Sequence, residues 1–351
     1  MKQAVFLVRL VRCSAVGLLL LMATSHAQTL TWPEALAAVE DRTDVINARI
    51  ELDDAERALV RRSADPLALR PDLLQAQQRV NLARVRLTQA RYAAIREITQ
   101  AYTQVLEAQA QSNLAELAVS VNEQALDIAQ IRVERGGAIE LDLREAETSL
   151  QDARKNAATA RDGLALARSS LASLLNDDVL QLEPLSFALL PDPPSLGQLR
   201  FALREVPTLV QVQQGRDLAA LGVELLDPSY APQADIDAAQ AQLESAEESL
   251  LEVRRGLELQ AQALFDGSQR TAAELMVREA SLANSRQRLG FERQRLESGL
   301  IATINFRQSE LATEQAEIAF VQAKHAYLLQ LLELQENTML PLPEIQALLG
   351  D

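Results

Sequence analysis

Arg132–Ala153 reads RVERGGAIELDLREAETSLQDA, and Arg295–Ala316 reads RLESGLIATINFRQSELATEQA. Each stretch carries a helical run into glycine and starts a second run a few residues later. Gly136 and Gly137 in succession break a helix and supply the positive φ that a tight reversal needs. The two stretches lie 163 residues apart, and at that offset Gly136 aligns with Gly299, Glu147 with Glu310 and Ala153 with Ala316. Both read as the tips of helical hairpins.

Upstream of the first tip, apolar residues recur at Ala76, Val80, Ala83, Leu87, Ala90, Ala94, Ile98, Ala101, Val105 and Ala108. Steps of three and four are coiled-coil spacing. The pattern predicts one helix from near Asp72 to Glu134, roughly 95 Å long at 1.5 Å per residue. A compact domain cannot hold such a helix, so it must lie along partners. After the tip the helix resumes near Leu141, with its seam at Leu143, Ala146, Leu150, Ala153, Ala157, Ala160, Leu164, Ala167 and Leu171.

The offset persists well beyond the tips. Ala76, Val80, Ala83, Leu87, Ile98 and Tyr102 match Ala239, Leu243, Ala246, Leu250, Ala261 and Phe265. A constant spacing over this length signals tandem duplication. One helix is expected over Thr31–Ser63, capped by Thr31 with Pro33 and Glu34 in its first turn, and a like helix over Leu199–Leu226. The expected parts are a signal peptide at 1–27, a first repeat at 28–176, a Pro-rich linker at 177–197 laid against the outside, a second repeat at 198–337 and a tail at 338–351.

Met1–Ala27 has a basic start (Lys2, Arg9, Arg12), an apolar stretch and Ser25-His26-Ala27 before Gln28, the pattern of a secretory signal. A retained anchor is the rival reading, but the apolar run is short for a bilayer. Cys13, the one cysteine, would leave with the signal. The remaining chain has 31 basic against 49 acidic residues, a net charge of −18 that disfavours nucleic acid as a partner. Aromatic residues are 3% of the chain, and Ala, Leu, Gln, Glu and Arg dominate, as in long helices rather than in an enzyme with a deep pocket. We see no nucleophile motif, phosphate loop or paired carboxylate, so neither catalysis nor a cofactor is expected. His325 has no clustered partner in sequence, so no metal is expected. Trp32 reads as a packing anchor, and Tyr92, Tyr102, Phe265, Phe320 and Tyr327 as seam fillers.

With these features together the chain resembles the TolC family of outer-membrane efflux proteins. The resemblance rests on Leu30–Leu36 (LTWPEAL) and, more weakly, Leu196–Leu203 as repeat openings. It also rests on the R-x-x-x-G turns Arg132–Gly136 and Arg295–Gly299, each followed by a start of one type, Asp142–Glu147 and Asn305–Glu310. It implies an all-α protein of long coiled-coil hairpins in two tandem repeats, assembled as a homotrimer around a hollow duct. The partners it implies are a periplasmic adaptor and an inner-membrane transporter at the tips, and the place is the periplasm and outer membrane. The family also carries two β-barrel strands per repeat, each of ~9–11 residues. Here those places hold only Ala64–Pro71 and Asp227–Gln233, so the barrel is expected to be missing. An exit through another outer-membrane component is one consequence, and a structural envelope spacer is a second reading. An adaptor subunit is disfavoured, because it would need flanking β-rich domains.

The candidate contact surface is Gly136, Gly137, Ala138, Ile139, Gly299, Leu300 and Ile301, since apolar residues at the tips would otherwise stand in solvent. The resemblance makes Asp142 and Glu145 candidates for an acidic ring at the duct mouth, with Arg132 and Arg295 holding hairpins together through Asp142 or Glu297. The plainer reading is first-turn acids complementing a helix dipole, and exposed ion pairs of a few tenths of a kcal/mol.

Overall fold

The computed structural model describes residues 29–176, 181–185 and 190–342. The signal-peptide expectation and the end of the tail lie outside these. In chain order the elements are β1 (Thr29–Leu30), α1 (Trp32–Leu36), a 3-10 turn (Ala37–Asp41), α2 (Thr43–Ser63), α3 (Arg70–Glu134) and α4 (Glu140–Leu175). There follow β2 (Gln181–Leu182), α5 (Leu196–Ala202), a second 3-10 turn (Leu203–Glu205), α6 (Pro207–Glu224), α7 (Gln233–Glu297) and α8 (Thr303–Thr338).

The duplication is visible in the backbone. α3 and α7 are each 65 residues, about 97 Å at the standard rise. α4 and α8 are each 36 residues and start 163 residues apart. Both end on a left-handed residue, Asn176 at φ 53° and Met339 at φ 60°. The hairpins pack side by side: α3 on α4, α7 on α8, and the repeats meet where α3 runs along α8 and α6. Most of the anticipated α3 seam is buried, including Val80, Ala83, Leu87, Ala94, Ile98, Ala101 and Val105.

The first helix of each repeat departs from expectation. Thr31–Ser63 is broken at Arg42, which is extended at φ −69° and ψ 135°. Leu199–Leu226 is broken at Val206, with φ −69° and ψ 133°. In the second repeat the cause is written in sequence, because Val206 precedes Pro207 and a residue before proline is pushed out of the helical region. In the first, tertiary contacts hold the break: Arg42 reaches Glu97 on α3 at 2.8 Å, and Glu40 lies between Arg49 and Arg91. The break lets α1 turn inward. Trp32 is 5% exposed, and its indole N–H donates to Thr99 Oγ1 at 3.0 Å. The Thr31 cap is present as a full capping box with Glu34.

The linker is also not wholly external. β1 and β2 pair in parallel, Thr29 with Gln181 and Leu30 with Leu182. Leu182, Leu185 and Leu190 pack on the main core. Tyr102, fully buried, brings its hydroxyl to the Leu30 carbonyl at 2.9 Å and the Glu183 carbonyl at 2.6 Å. Tyr327 donates to the Pro191 carbonyl at 2.6 Å. These tyrosines fill the seam as expected, and they also tie the linker to it. Burial pushes the Tyr102 hydroxyl far above the usual range and the Tyr327 hydroxyl up to about 12.

Among the described residues, the turns between α2 and α3 and between α6 and α7 contain no strand. No described helix is long and apolar enough to cross a membrane.

Candidate functional site

Both tips close by the same hydrogen-bond pattern. Gly136 N donates to Val133 O at 2.9 Å and Gly137 N to Arg132 O at 2.8 Å. Gly299 N donates to Leu296 O at 2.9 Å and Leu300 N to Arg295 O at 2.8 Å. This is the Schellman closure, in which the residue after the cap must be left-handed. Gly136 and Gly299 meet that need at φ 69° and 71°. Gly137 does not have positive φ, and its place in the second repeat is held by Leu300. One glycine per tip is therefore required, where the sequence had suggested a working pair.

The tips project apolar groups into solvent. Ile139 is 63% and Leu300 70% exposed, while Ala138 and Ile301 are half-buried. Beside them the tips differ. At the first, Asp142 Oδ2 accepts from the Ile139 backbone N–H at 3.1 Å, closing the start of α4. At the second, the corresponding residue is Asn305, and the next one, Phe306, is buried under the guanidinium of Arg293, 6.0 Å from its ring centre. In the sequence Phe306 counts only as part of the Asn305–Glu310 start; an aromatic just beyond a tip is the signal for its packing role.

Asp142, Glu145, Arg132 and Arg295 are all exposed. Within one chain they do not converge: Arg295 pairs with Glu292 at 3.0 Å, and neither arginine touches Asp142 or Glu297. Asp142 thus has a local task as a cap, and any mouth or clasp built from these residues needs another copy.

Two polar contacts that join the repeats lie deeper. His325, 2% exposed, sets Nδ1 2.8 Å from Glu107 Oε1 across 218 residues of chain. His325 was expected to stand alone; the fold supplies its partner. No group of three His, Cys, Asp or Glu side chains suited to a metal occurs among the described residues. Arg96 Nε meets Glu336 at 2.5 Å, and that hydrogen bond raises the guanidinium's pKa.

A family model described as "Outer membrane efflux protein" matches residues 68–177, which span α3, the first tip and α4. The match is confined to this first hairpin, about a third of the chain, and the fold it accompanies is TolC-like. The TolC-like fold extends over both repeats in comparisons with solved structures. The outer membrane protein VceC from Vibrio cholerae superposes with a TM-score of 0.61 at 13% identity, over 88% of this chain and 96% of that one. The Campylobacter jejuni CmeC outer membrane channel gives 0.61 at 12% identity, over 87% and 85%. The open state of the Neisseria gonorrhoeae MtrE outer membrane channel gives 0.59 at 13%, over 88% of each. At these identities the structural likeness speaks for the fold. No curated protein matches the TolC-like chain.

Proposed function

We propose that the protein is the helical conduit of an efflux or type I secretion assembly, a passive duct in the cell envelope whose energy comes from a separate transporter. One observation carries this: two equivalent hairpins about 97 Å long lie side by side, with helix flanks still open to receive neighbours. A homotrimer supplies those neighbours and encloses a passage. The exposed Ile139 and Leu300 give the tips an apolar surface for an adaptor or transporter. In a trimer Asp142 and Glu145 recur three times around the mouth, where they favour cations. Asp142→Asn would then weaken cation block of the reconstituted duct; unchanged block would remove Asp142 from that role.

The test of the duct is the mass of the exported chain in detergent-free buffer by light scattering. Three times the monomer mass is the expected result, and a monomer overturns it. A second reading, an envelope spacer, is favoured by the strandless turns at 64–69 and 225–232. Deletion separates the two. Loss of efflux-substrate tolerance supports the duct, and envelope defects with unchanged tolerance support the spacer.

A further inference from the structure

Helix order defines two unlike flanks. At the turn end the order is α2, α3, α6, α7, and at the tip end it is α4, α3, α8, α7. One flank is therefore α2 followed by α4, and the other is α7 along its whole length. Both carry large apolar side chains in solvent: Val60 at 69% and Leu166 at 70% exposure on the first, Leu259 at 75% and Met276 at 71% on the second.

Charge distinguishes the flanks at the turn end. Residues 56–87 contain seven arginines and three acids, while the equivalent residues 219–250 contain seven acids and no basic residue. Among the described residues, one ion pair joins these segments within the chain, Arg70 with Glu224 at 2.9 Å. Asp235, Glu244, Glu247 and Glu248 have no ion pair there, and neither does Arg61.

The duplication supplies a register. Within the chain, α3 of the first repeat runs along α8 of the second, held by Arg96–Glu336 and Glu107–His325. Eleven residues forward on α3 match eleven back on α8, so one antiparallel alignment satisfies both. The next such seam around an axis would place α7 on α4 of a second copy. Moving the Glu107–His325 pair by 163 residues sets Arg270 opposite Asp162. These are opposite charges, both exposed, and neither has an ion pair among the described residues of its own chain.

We propose that the α7 flank of one copy docks on the α2/α4 flank of the next, with Arg270 facing Asp162 and the acids of 219–250 facing Arg57, Arg61 and Arg62. The partner is a second copy of this chain, because the register that aligns Arg270 with Asp162 is the chain's own. The contact is heterologous, so repeating it builds a ring where the rotation closes, and not a two-fold pair. Apolar side chains supply the contact area. The exposed charges set which flank meets which, since such pairs contribute little affinity but much orientation. The proposal rests on the ring reading above and adds its surfaces and register.

The experiment pairs Arg270→Cys with Asp162→Cys in the exported chain, otherwise expected to be free of cysteine, and joins them with a short bis-maleimide. A ladder of cross-linked multimers in the double variant, absent from each single variant, is the expected result. In parallel, Arg270→Asp should weaken self-association roughly two- to fivefold per contact, and adding Asp162→Arg should restore it. Multimers by light scattering without cross-linking or rescue would overturn these surfaces and leave the ring intact. A chain that is monomeric even before substitution would remove the ring itself, and this contact with it.

Discussion

α4 and α8 are the same helix twice, equal in length and ending alike, yet they live in different surroundings. α8 buries twelve residues and α4 five. The reason is position: α8 packs on both α3 and α7, whereas α4 packs chiefly on α3. Leu328, fully buried on α8, corresponds to Ala165, exposed on α4. Duplicated sequences thus diverged to suit an inner and an outer seat. The bare face of α4 is the place where a single chain is incomplete.

The strongest way to break this comparison is to exchange the two seats. Leu328→Ala should cost about 2–5 kcal/mol in denaturant unfolding, as a large-to-small change in a packed core does. Ala165→Leu should stay within about 0.5 kcal/mol for the isolated chain, as surface changes do. Equal costs at both sites would mean that the two helices are equally enclosed.

The tips offer a sharper contrast between neighbouring glycines. Gly136→Ala forces a left-handed conformation on a side chain and should destabilise by about 1–2 kcal/mol. Gly137→Leu copies the second tip, where Leu300 is tolerated, and should be near neutral. Thermal unfolding of the two variants checks the order, and a larger loss for Gly137→Leu would contradict the single-glycine reading.

The smallest effect concerns pH. Tyr327, whose counterpart is Leu164, has its hydroxyl raised to about 12, first by burial and then by Asp192. The folded protein therefore resists ionisation that the unfolded chain accepts near pH 10. The stabilisation is fully present below pH 10 and is lost as pH rises toward 12. Tyr327→Phe should flatten that part of the stability–pH curve. A curve unchanged by the substitution would assign the alkaline loss to other groups.

Much of this architecture was legible in the sequence, for a physical reason. Helix periodicity, glycine turns and capping residues are local, so α3, the Thr31 cap, Gly136 and the 163-residue repeat could all be read directly. Pro207 was legible too, and its effect on Val206 should have ended the helix there. The break at Arg42 was not, because contacts to Glu97 and around Glu40 hold it. Glu107 became the partner of His325, and Tyr102 the clasp of β1 and β2, only when distant segments were brought together. The sequence by itself determined two tall hairpins and their tips. Tertiary structure alone decided which copy lies inside, which flank stays open and which charges meet, because those depend on how helices return beside one another and not on their periodicity.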